Sequence, residues 1–355
     1  MAKQTKPQVL IIGAGGIGQR HIRAWLATER VGVSIVEPDE AKRRDVAGQY
    51  PLEKNFADLA EANLGEYAAA VICAPANVHV PIAMTCTKAN LPFLMEKPLA
   101  VTTEGVEDLL AAVHKKLLPA RVAYVTRACP EALWLRQQME QGRIGRVRMC
   151  YVNASQEFPK YRPDFQRTYY AREATGGGAI LDGASHRFDL LLWLMGPVTE
   201  VAAMYDRLEL PGVECEDSAL ILLRFRSGGL AQISMNQFQK PNVNTVEFIG
   251  TQGNLLMDMI AAEVRFCGDD SNQWQVQRFA EGLSMRQYHE GRFRRQAEMF
   301  LNAMAGRDEA PDRDKSRSGG LCPLTTLEEA RESLRMALAA KRSYREKRII
   351  SLDEM

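Results

Sequence analysis

Residues 8–18 read Gln8-Val9-Leu10-Ile11-Ile12-Gly13-Ala14-Gly15-Gly16-Ile17-Gly18. The apolar, β-branched run that stops at Gly13 has the pattern of a strand buried on both faces of a parallel sheet. The period then changes: Ile17, His21, Ala24 and Trp25 recur at helical spacing over 16–29. Between the two lies Gly-x-Gly-x-x-Gly, in the strand–turn–helix context that gives this pattern meaning as a dinucleotide site. Gly13 permits the tight turn, Gly15 lets backbone approach a pyrophosphate, and Gly18 lets the helix pack close to the sheet. Gly16 and Ile17 open a helix whose free N–H groups and positive dipole end favour phosphates. A second apolar run, 31–36, leads into Glu37, 19 residues after Gly18. An acid there accepts hydrogen bonds from the adenosine ribose and repels a 2′-phosphate, so NAD is expected in preference to NADP. Arg43 and Arg44, close behind, soften that preference.

The alternation continues outward from this unit. Asp39 is placed to cap a helix at 40–49. Strands are expected at 69–73, 93–95 and 122–126, with helices at 78–89 and 103–116. Strands alternating with helices predict a Rossmann-type, doubly wound parallel sheet, and residues 1–125 are assigned to this NAD(P)-binding domain. After residue 145 the pattern becomes one of short alternating strands, at 146–157, 199–208, 217–226, 229–239, 243–250 and 253–259. Turn signals such as Ser227-Gly228-Gly229 separate them. Residues 126–355 are therefore expected to form a second, α/β domain with a large, mostly antiparallel sheet. Helices at 183–195, 287–304 and 326–342 are expected to cover one of its faces. The charged, Gly-rich stretch 305–320 reads as a surface loop.

Bulk properties narrow the field. A chain of 355 residues is too long for one ordinary core. Its 45 basic and 44 acidic residues nearly cancel, so no global field favours nucleic acid or an anionic membrane. No apolar run reaches the roughly 18 residues of a membrane span, and a cytoplasmic protein is expected. The seven cysteines contain no Cys-x-x-Cys pair and the five histidines no metal-ligand spacing, so reduced thiols and no metal site are expected.

Three further stretches point to a family. Glu96-Lys97-Pro98 follows the fourth parallel strand, and Pro75-Ala76-Asn77-Val78-His79 follows the third. Gly176-Gly177-Gly178-Ala179-Ile180-Leu181-Asp182-Gly183-Ala184-Ser185-His186-Arg187-Phe188-Asp189 lies in the second part of the chain. Together they resemble the Gfo/Idh/MocA family of sugar and cyclitol dehydrogenases, and the similarity runs over nearly the whole chain. The resemblance implies a catalytic trio of Lys97, Asp182 and His186. An alcohol oxidation needs a base for the hydroxyl proton, and an imidazole titrates near neutrality. Lys97 at a strand's carboxyl end suits stabilisation of a developing alkoxide. Either Lys97 or His186 moves the proton; His186 is taken as acid/base, Lys97 as electrostatic helper and Asp182 as orienting partner. Asp182 also reads as a cap for helix 183–195, and Asp189 as structural.

The same resemblance places Pro75, Asn77 and His79 on the nicotinamide side and Glu96 near the nicotinamide ribose. The plain reading of His79 is a helix-start residue at the surface. Ala74 departs from the Thr or Ser that often precedes this proline in the family, which removes one hydroxyl contact. Tyr169 and Tyr170 fall where relatives place an aromatic beside the nicotinamide. In 158–175, Arg162, Arg167 and Arg172 suit a carboxylate, hence a uronate, or else form an ordinary solvated loop. A neutral sugar or cyclitol is the default substrate. Two other activities fit: a glycosidase or isomerase that recycles a tightly bound NAD, and a non-catalytic NAD sensor. A homodimer or homotetramer is implied, with the open sheet face and Phe238 as candidate contacts.

Overall fold

The computed structural model describes residues 6–268, 272–306 and 322–355. Its described residues form two compact units. The first draws on Met1–Ala100, Glu104–Ala128 and Met285–Glu328, and the second on Val101–Thr103, Cys129–Ser284 and Glu329–Met355.

The first unit is built on six parallel strands: β1 (Gln8–Ile12), β2 (Gly32–Val36), β3 (Asn55–Phe56), β4 (Ala69–Ile72), β5 (Phe93–Met95) and β6 (Ala120–Val122). Their order is β3-β2-β1-β4-β5-β6. The direction of strand addition reverses between β1 and β4, and the crevice at such a reversal is where doubly wound sheets bind ligands. Leu10 pairs with Ser34 on one side and Ala70 on the other. Every residue of β2 and β4 is buried, which is why these segments read as continuous apolar runs. The connecting helices are α1 (Gly16–Leu26), α2 (Glu40–Gln49), α3 (His79–Lys88) and α4 (Val106–Lys115). Asp39 caps α2 as expected, its carboxylate accepting the Lys42 N–H at 2.9 Å. The last strand lies earlier than the expected 122–126. Its partner β5 is three residues long, so pairing ends at Met95–Val122, and 125–128 winds into a 3₁₀ turn.

The second unit carries helix α5 (Pro130–Glu140), strand β7 (Val147–Glu157), the single turn α6 (Phe158–Tyr161), helix α7 (Ser185–Met195) and strands β8 (Val198–Asp206), β9 (Ser218–Phe225), β10 (Leu230–Asn236), β11 (Phe238–Gly250), β12 (Gly253–Asp258), β13 (Glu263–Gly268) and β14 (Gln275–Arg278). With β15 (Ile350–Ser351) they form one sheet in the order β14-β13-β12-β11-β7-β10-β9-β8-β15. Only the β7–β10 pair is parallel. Burial alternates along β9: Ala219, Ile221, Leu223 and Phe225 face inward while Leu220 and Leu222 are 55% and 58% exposed. The two faces are thus chemically distinct in period two.

Two long helices follow, α8 (Met285–Met304) and α9 (Leu327–Glu346). The expectation that 287–304 covers the antiparallel sheet is corrected here. Ala297, Phe300 and Leu301 of α8 join Val9, Ile11, Trp25 and Leu324 in the core of the first unit. The Trp25 and Phe300 rings meet edge to face with centroids 6.2 Å apart. The chain thus returns to its first unit late, through Met285–Glu328. The expected loop at 305–320 lies, from residue 307 on, outside the described residues. No helix among the described residues is long and apolar enough to cross a membrane.

Candidate active site

The glycine loop leaves β1 with Gly13 at φ +97°, a backbone conformation that L side chains rarely adopt. Its N–H donates to the Val36 carbonyl at 2.8 Å. A Cβ at Gly18 would lie 2.0 Å from the Gly13 carbonyl oxygen, so helix and loop close only without a side chain there. Gly15 differs: a Cβ there meets nothing within 4 Å. That open face lies at the start of α1, which has Gly15 at its cap position, no side-chain cap and no acid in its first turn. The first-turn N–H groups have no intrahelical acceptor, so an anion is the partner this end accommodates. Cys73, buried beneath the loop, is held as a neutral thiol, because burial, reinforced by the Glu96 charge, pushes its pKa well up.

Glu37, at the end of β2, is 6% exposed. One carboxylate oxygen accepts the Ala14 N–H at 2.9 Å and the other the Asp39 N–H at 3.1 Å. The acid therefore braces the loop. The cation nearest it is Lys42, 3.6 Å away. Arg43 donates instead to the Glu37 carbonyl at 2.7 Å, and Arg44 pairs with Glu40.

The carboxyl ends of β4 and β5 add the next residues. Pro75 and Asn77 are exposed and Ala74 is partly buried. His79 is 1% exposed, so its reading as a surface residue is corrected. Its ring braces two loops, Nε2 lying 2.8 Å from the Ala74 carbonyl and Nδ1 2.8 Å from the Pro98 carbonyl. Burial holds its pKa below the ordinary value, against the opposing pull of the two carbonyls. Glu96 is also buried: Oε1 lies 2.8 Å from His21 Nε2, and Oε2 accepts the Lys97 N–H at 3.2 Å. Lys97 itself is half-buried. His21 escaped the sequence reading because it fell into the apolar stripe of α1 beside Ile22 and Trp25. A histidine on the buried face of the helix after a glycine loop was the available signal.

In the second unit, 158–175 folds as α6 and three successive 3₁₀ turns. Phe158, Phe165, Tyr170 and Ala171 form a small core with Leu210 and Val213. Tyr170 is therefore a packing residue, 1% exposed with its ring centroid 4.2 Å from that of Phe158, and its expected place beside the nicotinamide is corrected. Burial pushes its phenol pKa up. Tyr169 is 43% exposed and donates its hydroxyl to Asp182 Oδ1 at 2.8 Å. Arg162, Arg167 and Arg172 are exposed.

Gly176 and Gly178 take φ +89° and +95°, and the chain enters a π-helical turn, Ala179–Ala184, before α7. Short π-helical turns occur often at functional sites. Asp182 lies in this turn and His186 in the first turn of α7, and both are half-buried. The cap residue of α7 is Ala184, and the carboxylate of Asp182 accepts the Tyr169 hydroxyl. Asp189 is fully buried, in keeping with its structural reading. Among the described residues no group of His, Cys, Asp and Glu is arranged to hold a metal ion.

Comparison with known proteins agrees with this architecture. Residues 8–124 match the oxidoreductase family with an NAD-binding Rossmann fold, and 133–256 match the GFO/IDH/MocA C-terminal domain. The rhizopine catabolism protein MocA of Rhizobium meliloti is 30% identical over 194 residues, spanning 54% of this chain and 58% of that relative. Myo-inositol 2-dehydrogenase of Thermotoga maritima is 24% identical over 355 residues, covering 97% of this chain and 98% of its own. Among solved structures, a levoglucosan dehydrogenase in complex with NADH and levoglucosan shares the fold with a TM-score of 0.84 at 19% identity, over 98% of this chain and 100% of that one. An oxidoreductase from Agrobacterium radiobacter in complex with NAD+, L-tartaric acid and magnesium superposes with a TM-score of 0.83 at 17% identity, over 99% and 100%.

Proposed function

The chain belongs to the Gfo/Idh/MocA oxidoreductase family, and we propose that it is an NAD-preferring dehydrogenase that oxidises a secondary alcohol of a sugar or cyclitol. Lys97, Asp182 and His186 are its catalytic residues in this reading. The observation that carries it is the carboxyl edge of the first sheet. There an open-faced glycine loop shares one rim with Lys97, whose backbone is held by the Glu96–His21 pair. The loop fits a dinucleotide: space above Gly15, an uncapped helix end without acids, and a buried carboxylate at Glu37. Gly13, Gly15, Gly16, Ile17 and Gly18 hold the phosphates, and Ala74, Pro75, Asn77 and Glu96 border the nicotinamide half. His79 acts there only through the two carbonyls it braces.

A nicotinamide held there would supply the acceptor for the hydride of the alcohol carbon. His186 takes the hydroxyl proton, a task that suits an imidazole near neutral pH. Lys97 donates a hydrogen bond to the same oxygen and stabilises the alkoxide as it forms. Asp182, already engaged by the Tyr169 hydroxyl, orients the imidazole and the substrate. Glu37 disfavours a 2′-phosphate, with Lys42 at 3.6 Å partly offsetting it. Exposed Arg172, three residues after Tyr169, is proposed with Arg162 and Arg167 to grip a substrate carboxylate, so uronates belong beside neutral polyols as candidates.

The test is NADH or NADPH formation by the purified chain with NAD or NADP and a panel of inositols, aldoses, amino sugars and uronates. Lys97→Ala and His186→Ala should each lower turnover on the active substrate by roughly 10²–10⁴-fold, with cofactor affinity little changed. Full activity of both variants sinks the assignment. Product formed without net NADH redirects it to a cofactor-recycling enzyme.

The chain is also proposed to form a homo-oligomer through the open sheet face. Met204, Leu220 and Leu222 stand 68%, 55% and 58% exposed there, an apolar cluster that favours burial against a second copy. Phe238, part-buried on β11, is a further candidate contact. Light scattering reads the state, and a monomer at micromolar concentration excludes it.

A further inference from the structure

The turn that carries Asp182 is anchored from a distant part of the chain. Glu216, just ahead of β9, accepts the Ile180 N–H on Oε1 at 2.9 Å and the Ala179 N–H on its main-chain carbonyl at 2.9 Å. The opening N–H groups of a helical turn have no acceptor inside it. Glu216 supplies acceptors for two of them, 36 residues away for Ile180 and 37 for Ala179. Gly178 completes the fit, because a Cβ there would come within 2.6 Å of Glu216 Oε1.

Glu216 is 4% exposed, and a carboxylate so placed is costly unless compensated. The compensation is Lys341 of α9, whose ammonium lies 3.2 Å from Glu216 Oε2 and 2.6 Å from Glu173 Oε1. Burial works against the Lys341 charge, but the Glu216 and Glu173 carboxylates outweigh it and raise its pKa above the ordinary value. A raised lysine pKa means that the pair's contribution is complete below the unfolded pKa and is lost only as pH rises through the folded one. The Lys341 ammonium is therefore held charged throughout the range in which an imidazole titrates.

We propose that Glu216 and Lys341 are positioning residues, a buried ion pair that fixes the π-helical turn 179–184 and thereby sets Asp182 and His186. This rests on the reading of Asp182 and His186 as catalytic. Buried pairs of this kind contribute little net stability compared with well-packed neutral groups, so their effect is expected in geometry more than in folding. Removing one partner strands the other charge, whereas removing both charges leaves a neutral site. In Lys341→Met, Glu216 is left without its ammonium and the turn loosens. In Lys341→Met/Glu216→Gln, the amide oxygen still accepts the Ile180 N–H and no charge is stranded.

The experiment follows wild type, Glu216→Ala, Lys341→Met, the double variant and His186→Ala as full-length chains. Hydrogen exchange of peptides spanning 176–188 is read by mass spectrometry, NAD affinity by titration, and kcat on whichever member of the inositol, aldose, amino-sugar and uronate panel is active. Glu216→Ala and Lys341→Met should speed exchange in 176–188 and lower kcat by about 10–100-fold, the loss typical of a misplacement near 1 Å, at unchanged NAD affinity. The double variant should recover both readouts to within about threefold of wild type. Wild-type exchange and kcat in Lys341→Met overturn the proposal, as does a double variant no better than Lys341→Met. An inactive His186→Ala beside a fully active Glu216→Ala overturns the positioning role alone. A fully active His186→Ala brings down the catalytic reading and this proposal with it.

Discussion

The two glycine runs of this chain look alike as text and behave differently as structure. At Gly15 a Cβ meets nothing within 4 Å, so the missing side chain leaves room for something that is not protein. At Gly177 a Cβ would come within 2.1 Å of the Tyr170 carbonyl oxygen, and at Gly178 within 2.6 Å of the Glu216 carboxylate. The first run is permissive at Gly15 and tight at Gly13 and Gly18. At Gly177 and Gly178 the second run is tight against the chain itself. A glycine in a functional motif therefore has one of two causes: access for a ligand, or close approach of the protein's own backbone and side chains. Only the neighbours distinguish them.

The largest effects should come from positions where the two runs agree. Gly18→Ala and Gly177→Ala both drive a Cβ into a backbone carbonyl. Each should destabilise the fold by about 3 kcal/mol or more, because backbone yields less readily than a side chain. Thermal or denaturant unfolding of the two variants checks this, and a wild-type midpoint in either shows that the crowding is relieved elsewhere. The contrast is sharpened on the permissive side. Glu37→Ala removes the acceptor of the buried Ala14 N–H, which should cost about 1–3 kcal/mol, weaken NAD binding and narrow the preference over NADP. Gly15→Ala should be the mildest for the fold, within about 0.5 kcal/mol of wild type, yet should weaken NAD roughly tenfold. A Gly15→Ala variant with unchanged NAD affinity would remove the phosphate role from that open face.

The same contrast explains how much was legible beforehand. The strand at 8–12, the turn at Gly13 and the helix from residue 16 were readable because their causes lie within a few residues: β-branching, absence of a Cβ, and helical spacing of apolar positions. Asp39 was readable as a cap for the same reason. His79 and Tyr170 were misplaced, since burial depends on what else packs around them and both residue types serve surfaces and cores. Helix α8 was recognised as a helix but assigned to the wrong layer. Its apolar face does not state which partner it meets, and Phe300 settles against Trp25 of α1 only in the folded chain.

By itself, then, the sequence determined the two architectures, the glycine loop with its acid, and the family motifs around Lys97, Asp182 and His186. Each of these is short-range chemistry repeated along the chain. The tertiary structure alone decided what holds those motifs in place. His21 meets Glu96 across 75 residues, Glu216 meets Ile180 across 36, and Lys341 meets Glu173 across 168. No local pattern records such pairs, because a buried charge or ring finds its partner through burial and distance, which exist only once the chain has folded.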